Sequence, residues 1–299
     1  MSLATSRGQA TVRQLCKAMC ISPQAYYQAR ARLDREAEAT VDPPRKSQPN
    51  MTVSDAELRA AIQRVKAEEG AAAWGHRKVW AVLRHLEGLR VGHNRVWKMM
   101  GALGLLLPAT GPHSLYAREA EVAVPTSNRR WGTDLTTVWT RLDGLVAVAP
   151  VIDYGDRDLL AIGVSKSQEA EIVLAPLRTA LQESFGTPEG VPAGLELRSD
   201  NGPQYRGSVC FDLSLEWNFE QSFTLVGQPT GNAITERVIL TMKTEVIWAQ
   251  DWESAEELRQ ALEAWRHRYN HRRPHEALGW QTPAQRRVEN LGVATGAAA

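Results

Sequence analysis

The run Leu195-Glu196-Leu197-Arg198-Ser199-Asp200-Asn201-Gly202 decides how the chain is read. Leu195 to Arg198 alternates apolar and polar residues, as a strand with one covered face does, and Asn201-Gly202 supplies a tight turn at its end. Asp200 is thereby held at the mouth of the strand. Two more acids stand in comparable frames. Asp134 lies in Trp131-Gly132-Thr133-Asp134-Leu135-Thr136, which also reads as a strand, and Glu236 follows Asp200 after 35 intervening residues, on a helical stretch. Strand ends plus a helix bring side chains together without crowding, and carboxylates offer only the hard oxygen ligands that suit Mg²⁺ or Mn²⁺. Two such ions about 4 Å apart, one readying an attacking oxygen and the other steadying a leaving oxygen, are what metal-assisted phosphodiester chemistry requires. Asp134, Asp200 and Glu236 are the expected metal ligands and catalytic groups.

Outward from these acids, Asp134–Arg141 and Leu145–Asp153 read as strands joined by a hairpin turn at Asp143-Gly144, and Leu159–Val164 as a third. A helix is predicted from about Gln168 to Phe185, burying Ile172, Val173, Leu174 and Leu177. Leu195–Arg198 and Phe219–Phe223 are the fourth and fifth strands, with a helix near Arg206–Leu215 between them. The Glu236 helix extends to about Trp248, and another spans Glu256–Tyr269. Three antiparallel strands followed by alternating helices and strands predict an α/β core, a mixed five-stranded sheet flanked by helices. This core occupies residues 129–253, with a C-terminal helix and closing motif at 254–299.

The preceding part is expected to be all-α. Val12, Leu15 and Met19 recur at helical spacing, Ile21-Ser22-Pro23 supplies a turn and a helix start, and a helix follows from Gln24 to about Arg35. Residues 1–35 thus read as a helix-turn-helix, or as an ordinary helical hairpin. Residues 36–53, with Asp42-Pro43-Pro44, and 108–128 read as linkers. Between them, Ser54-Asp55-Ala56-Glu57 makes a capping box, and helices at about 54–69, 76–87 and 92–103 form a block over residues 54–107. Trp74, Val79, Trp80, Leu83, Val96, Trp97 and Met100 are its expected core. Arg77, Lys78, Arg84, Arg90, Arg95 and Lys98 are expected outside.

The bulk properties exclude some classes. A chain of 299 residues, 43% hydrophobic and 23% charged, is an ordinary globular composition. No apolar run reaches the roughly 18 residues of a membrane span, and no signal peptide opens the chain, so a cytoplasmic protein is expected. Cys16, Cys20 and Cys210 form no CxxC pair, which fits a reducing compartment. A formal net charge of +1 hides a strong asymmetry. Residues 1–130 carry 20 Lys/Arg against 11 Asp/Glu, whereas residues 131–253 carry 8 against 18. A basic arm beside an acidic core suits a nucleic-acid-binding module feeding a metal-dependent site.

The acids and the words around them resemble the retroviral-integrase-like transposases, specifically insertion sequence family three. The resemblance extends through Gly231-Asn232-Ala233, Lys243-Thr244-Glu245, Tyr269-Asn270-His271-Arg272-Arg273-Pro274-His275, Ala277-Leu278-Gly279 and Thr282-Pro283. Upstream it takes in Trp74-Gly75-His76-Arg77-Lys78 and Val91-Gly92-His93-Asn94-Arg95-Val96, so that it covers about residues 10–286. It departs from the family at Gly231, where many relatives have Asp, and after Glu236.

The resemblance implies a ribonuclease H-like core carrying an Asp-Asp-Glu triad, two Mg²⁺ ions for which Mn²⁺ substitutes, and cleavage at transposon ends followed by strand transfer into target DNA. It implies double-stranded DNA as partner and a homodimer or larger assembly, because two ends must be handled at once. Lys243, seven residues after Glu236, falls on the same helix face and is expected near a DNA phosphate. Arg77, Lys78, Arg95, Lys98, Arg272 and Arg273 are the other expected DNA-binding residues. His267, His271 and His275 recur at metal-ligand spacing, but Pro274 ends the helix before His275, and a DNA-facing or capping role for His271 and His275 is preferred over zinc. The family often builds its active protein by frameshift fusion, so the chain is either a downstream product or carries its own helix-turn-helix. Two rival readings stay open, a non-catalytic DNA-binding relative and a structure-specific nuclease.

Overall fold

The computed structural model describes residues 12, 16, 22–38, 53–108, 124, 126–167, 169–224 and 232–296, in two compact units, 1–51 and 52–299. Most of the two expected linkers, most of the helix around Val12, and Gly231 lie outside the described residues. In the first unit, helix α1 (Pro23–Glu38) starts as its sequence dictates, with Pro23 at the first helical position and Ser22 Oγ accepting the Ala25 N–H at 3.1 Å.

The second unit opens with a helical block, α2 (Asp55–Ala67), α3 (His76–Ala81) running into a π-helical turn (Val82–Leu86), and α4 (His93–Ala102). The capping box forms as read: Ser54 Oγ accepts from the Glu57 N–H at 3.2 Å, and Glu57 Oε2 accepts from the Ser54 N–H at 2.8 Å. Leu58, Ile62, Val79, Leu83, Val96 and Met100 fill the core of the block. Trp97 departs from expectation and is 47% exposed, because Val96 and Met100 occupy the buried stripe of α4 and leave the next position on the outer face.

The sheet contains β1 (Arg130–Thr133), β2 (Thr136–Thr140), β3 (Gly144–Asp153), β4 (Leu159–Ser165), β5 (Glu196–Ser199) and β6 (Glu220–Phe223). It has six segments rather than five, and the difference lies at Asp134. β1 and β2 lie end to end along the same side of β3 in one continuous register, Thr133 opposite Val151 and Thr136 opposite Val148. They form one ribbon interrupted at Asp134-Leu135, so the sheet runs as five ribbons with the first broken at a site residue. The expected first strand also starts four residues too late. Arg130–Thr133 carries the pairing that matters most, parallel to β5 on one side and antiparallel to β3 on the other. The architecture is the ribonuclease H-like mixed sheet flanked by helices.

Both faces of the sheet are covered, which explains the unbroken apolar run Val146–Ile152 of the central β3. On one face α5 (Ala170–Phe185) and α7 (Ser208–Trp217), preceded by the short α6 (Pro203–Arg206), bury Leu174, Leu177, Leu181 and Leu213 against Trp131, Val151 and Leu197. On the other, α8 (Ala233–Glu245) and α9 (Ala255–Arg272) bury Val238, Met242, Leu258, Leu262 and Trp265 against Val146, Val148 and Ile152. The Glu236 helix is shorter than expected, giving way to a 3-10 turn at Ile247–Ala249.

A last helix, α10 (Pro283–Gly296), was not anticipated, although Thr282 and Gln285 form a reciprocal cap at its start. Its Arg287 reaches the β3–β4 turn, donating to Asp156 Oδ2 at 3.0 Å and lying 3.4 Å from Asp153 and Asp158. Burial, reinforced by Asp156, pushes the Asp153 carboxyl up to about 7. Because residues 52–299 form one unit, Leu83→Ala in the helical block and Leu181→Ala in the core are each expected to cost about 2–5 kcal/mol and to shift a single unfolding transition. Denaturant unfolding followed by fluorescence and circular dichroism checks this; two separable transitions would contradict it.

Candidate active site

Sheet register alone makes Asp134 and Asp200 neighbours. β1 and β5 are parallel, with Arg130 opposite Glu196 and Gly132 opposite Arg198. Carried two residues further, that register sets Asp134 beside Asp200 at the same end of adjacent strands, which lie about 4.8 Å apart. Each acid is fixed by its own backbone. Asp134 Oδ1 accepts the Leu135 N–H at 2.7 Å, and Asp200 Oδ1 accepts the Gly202 N–H at 2.9 Å. A Cβ at Gly202 would sit 2.6 Å from Gln204 Nε2 and 2.9 Å from Asp200 Oδ1, so a side chain there would press on the ends of both. Asn201 donates to the Thr224 carbonyl at 2.8 Å and ties the turn to the end of β6.

Glu236 arrives on α8, which packs directly on β1. The close approach is permitted by Gly132. A Cβ at this position would overlap Thr235 Oγ1 of α8 and the Tyr154 ring. Tyr154 Oη donates to Asn232 Oδ1 at 2.6 Å and lies 2.9 Å from Thr235 Oγ1, so the start of α8 is pinned to β1 and the end of β3. Side chains alternate along a strand, so Asp134 shares the α8-facing side with Gly132, while Thr133 faces the opposite layer and meets Tyr205 Oη at 3.3 Å. Asn232 stands in a stretch that the family resemblance already singled out, whereas Tyr154, Thr235 and Tyr205 are ordinary core residues by pattern. Gly132, a lone glycine inside a strand, was the available signal of close backbone approach.

The electrostatics match a cation site. Burial pushes the Asp134 carboxyl up to about 6, and the charges of Asp200 and then Glu236 push the same way, against the Leu135 N–H and the positive charge of Lys243. Glu236 is exposed and acts on Asp134 less than Asp200 does. Among the described residues no three His, Cys, Asp or Glu side chains surround a single point, so the triad is spread rather than closed around one ion. Oxygen-only donors, mutually repelling and one of them held partly protonated, fit hard divalent cations and nothing softer.

The basic residues divide into two groups. Lys98 is exposed on α4 and Lys243 is half-buried beside the acids. Arg77 and Arg95 make solvent-exposed pairs with Glu276 at 3.3 Å and Asp55 at 2.7 Å. The other three, expected on a DNA-facing surface, turn into the protein. Lys78 lies 3.7 Å from Glu245, and burial pushes its amine down to about 7. Arg272 pairs with Glu68 at 2.7 Å and Glu87 at 2.5 Å, and Arg273 pairs with Glu245 at 2.9 Å. His275 is packed edge-on against Tyr269 at 5.0 Å, and burial holds it well below the usual imidazole range, whereas His271 is exposed beside His267.

Two outcomes are expected. Gly132→Ala forces α8 away from β1, costing about 1–3 kcal/mol and weakening Mn²⁺ binding by about tenfold or more, as titration calorimetry would show. Asp134→Asn should stabilise the metal-free protein. A carboxyl raised from about 3.9 in the unfolded chain to about 6 favours the fold below the lower value and loses that advantage as pH rises through about 6. Thermal melts in chelator should show the variant about 1 kcal/mol more stable at pH 7.5, with no difference below pH 4.

Comparison with known proteins places the chain in a family. An integrase core domain model matches residues 125–229, a second integrase core model matches 218–283, and an HTH-like domain model matches 54–113, over α2–α4 rather than α1. The transposase for insertion sequence element IS629 of Shigella sonnei is 30% identical over 290 residues, covering 93% of this chain and 92% of that protein. Transposase InsD for insertion element IS2A/D/F/H/I/K of Escherichia coli is 30% identical over 222 residues, 71% of this chain and 72% of that protein. Among solved structures, the catalytic core domain of BIV integrase aligns at 18% identity over 56% of this chain and 99% of that one, with a TM-score of 0.43. An integrase core behind a helix-turn-helix-like block, aligned nearly end to end with an insertion sequence transposase, places this chain in insertion sequence family three: it is a member of that family of transposases.

Proposed function

We propose that this transposase cuts DNA at the ends of its own element and joins the freed strands to target DNA, with Asp134, Asp200 and Glu236 as ligands of two Mg²⁺ ions. The observation that carries the reading is the parallel register of β1 and β5, which, carried two residues past Gly132 and Arg198, sets Asp134 beside Asp200 beneath the helix that bears Glu236 and Lys243. Water attacks a phosphodiester at the element end, the bond from phosphorus to the 3′ oxygen breaks, and a 3′-hydroxyl is released. That hydroxyl attacks a target phosphodiester and displaces the target's own 3′ oxygen, with no covalent protein intermediate. When bound, the ions activate the attacking oxygen and neutralise charge on the leaving one.

The chain's own residues supply the frame. Asp134 and Asp200 hold fixed positions on adjacent strands, and Glu236 closes the set from α8, where it also stands ready to take the nucleophile's proton. Lys243 places a positive charge on the same side and suits a phosphate beside the scissile bond. Further from the site, Lys98 is exposed, and Arg77 sits in an exposed pair that contributes little, so exchanging a carboxylate for a phosphate costs it little; Arg95, half-buried, pairs with Asp55 and also donates to the Val53 carbonyl. Lys78, Arg272 and Arg273 would serve the block's attachment rather than DNA. Two ends must be processed together, so the working form is a dimer or larger assembly on DNA, with Mn²⁺ able to replace Mg²⁺.

The test uses labelled duplex DNA carrying the element's ends, Mg²⁺, and the wild-type and Glu236→Gln proteins. Cleaved and joined products are expected from the wild type, each falling about 10²–10⁴-fold in the variant. Tight binding with neither product, in Mg²⁺ and in Mn²⁺, would sink the catalytic reading in favour of a non-catalytic DNA-binding relative. Cleavage that never leads to joining would favour a nuclease.

A further inference from the structure

The helix that carries Glu236 is mounted at both ends. Its start is pinned to β1 through Thr235, Tyr154 and Asn232. Its far end is held by Glu245, the last residue of α8, whose side chain is only 4% exposed. Glu245 Oε1 accepts the indole N–H of Trp74 and Oε2 that of Trp265, both at 3.0 Å, and Arg273 donates its Nε–H to Oε1 at 2.9 Å. Lys78 Nζ stands 3.7 Å from the same oxygen. Trp74 and Lys78 come from the helical block, Trp265 and Arg273 from α9 and the segment just after it. One buried carboxylate therefore joins block and core, and does so on the helix that bears Glu236. The backbones meet there too: a Cβ at Gly70 would come within 3.3 Å of the Glu245 carbonyl oxygen.

We propose that Glu245 is a positioning residue, which fixes the rotation of α8 against the helical block and thereby sets where the Glu236 carboxylate stands relative to Asp134 and Asp200. The inference rests on reading those three acids as metal ligands. Glu236 lies nine residues from Glu245, about 14 Å along a helix rising 1.5 Å per residue, close enough for a rigid rod to pass a rotation from one end to the other. A buried ion cluster contributes little net stability over well-packed apolar residues of the same volume, whereas its directional hydrogen bonds define one orientation. Mg²⁺ demands near-ideal octahedral geometry, so a small displacement of one ligand weakens the site.

Glu245→Gln keeps the shape but removes the charge and turns one acceptor into a donor. Trp74→Phe removes a single donor from the block side. Both full-length variants, the wild type and Glu236→Gln are titrated with Mn²⁺ by calorimetry, while thermal melting and affinity for end-sequence duplex DNA are followed in parallel. Mn²⁺ affinity is expected to fall about five- to tenfold in Glu245→Gln and about two- to threefold in Trp74→Phe, with cooperative melts and DNA affinity within about twofold of wild type. Unchanged Mn²⁺ affinity in the folded variants overturns the proposal, and so does a parallel loss of DNA affinity, which would mark general loosening. If Glu245→Gln does not fold, Trp74→Phe decides by the same criteria. A wild type that binds Mn²⁺ no better than Glu236→Gln overturns the assignment of the acids themselves, whereas wild-type binding with unaltered variants overturns only the role of Glu245.

Discussion

The contact between α8 and β1 is the constraint on which the rest depends. A helix axis usually stands about 10 Å from a sheet, at a distance set by the side chains between them. At Gly132 the intervening side chain is missing, and Thr235 and Tyr154 fill its place. The helix meets the strand at Thr235, the residue before Glu236, and the strand delivers Asp134 two residues after Gly132. Both facts follow from one absent Cβ. The hydrogen bonds of Tyr154 then prevent the helix from sliding along the gap it has entered. At the end of β5 the Gly202 N–H turns back onto Asp200, fixing that carboxylate by its own backbone.

The same closeness is electrostatically costly. Burial and the charges of Asp200 and Glu236 raise the Asp134 carboxyl, while Glu236 itself stays in solvent. Basic groups do not cancel the repulsion directly. Lys243 is the basic group set against the raised Asp134 carboxyl, while Lys78, Arg272 and Arg273 hold the helical block to the core.

The strand order was legible in the sequence because it rests on local patterns, an alternating run ending in a turn and a hairpin marked by Asp143-Gly144, and the same patterns place the three acids at strand ends and on a helix. The break in the first ribbon was not legible. Arg130–Thr133 has no alternating apolar face, and its strand character comes from neighbours on both sides. The inward pairing of Lys78, Arg272 and Arg273 was not legible for a related reason. A charge on a helix faces water by default, and nothing near Lys78 or Arg272 in the chain says otherwise. Trp74 and Glu245 are 171 residues apart, and Arg272 and Glu68 are 204 apart, so their meeting is a property of the folded chain alone. The last helix was within reach, since Thr282, Pro283 and Gln285 spell a cap that went unread.

The pairing of Asp134 with Asp200 also separates chain length from site geometry. Sixty-five residues lie between them, yet their distance is fixed by ladder hydrogen bonds between two short strands and not by the path connecting those strands. Lengthening that path at a surface turn, such as the one at Pro188–Gly190, costs only the slowly growing entropy of closing a longer loop. Insertions there leave the two carboxylates where they are. A single residue added inside β1 or β5 has a different effect, because it shifts one acid by a full strand rise and turns it to the opposite face. Divergence within such a lineage is therefore expected to lengthen and shorten the connections freely while the two strands, four residues each, keep their count.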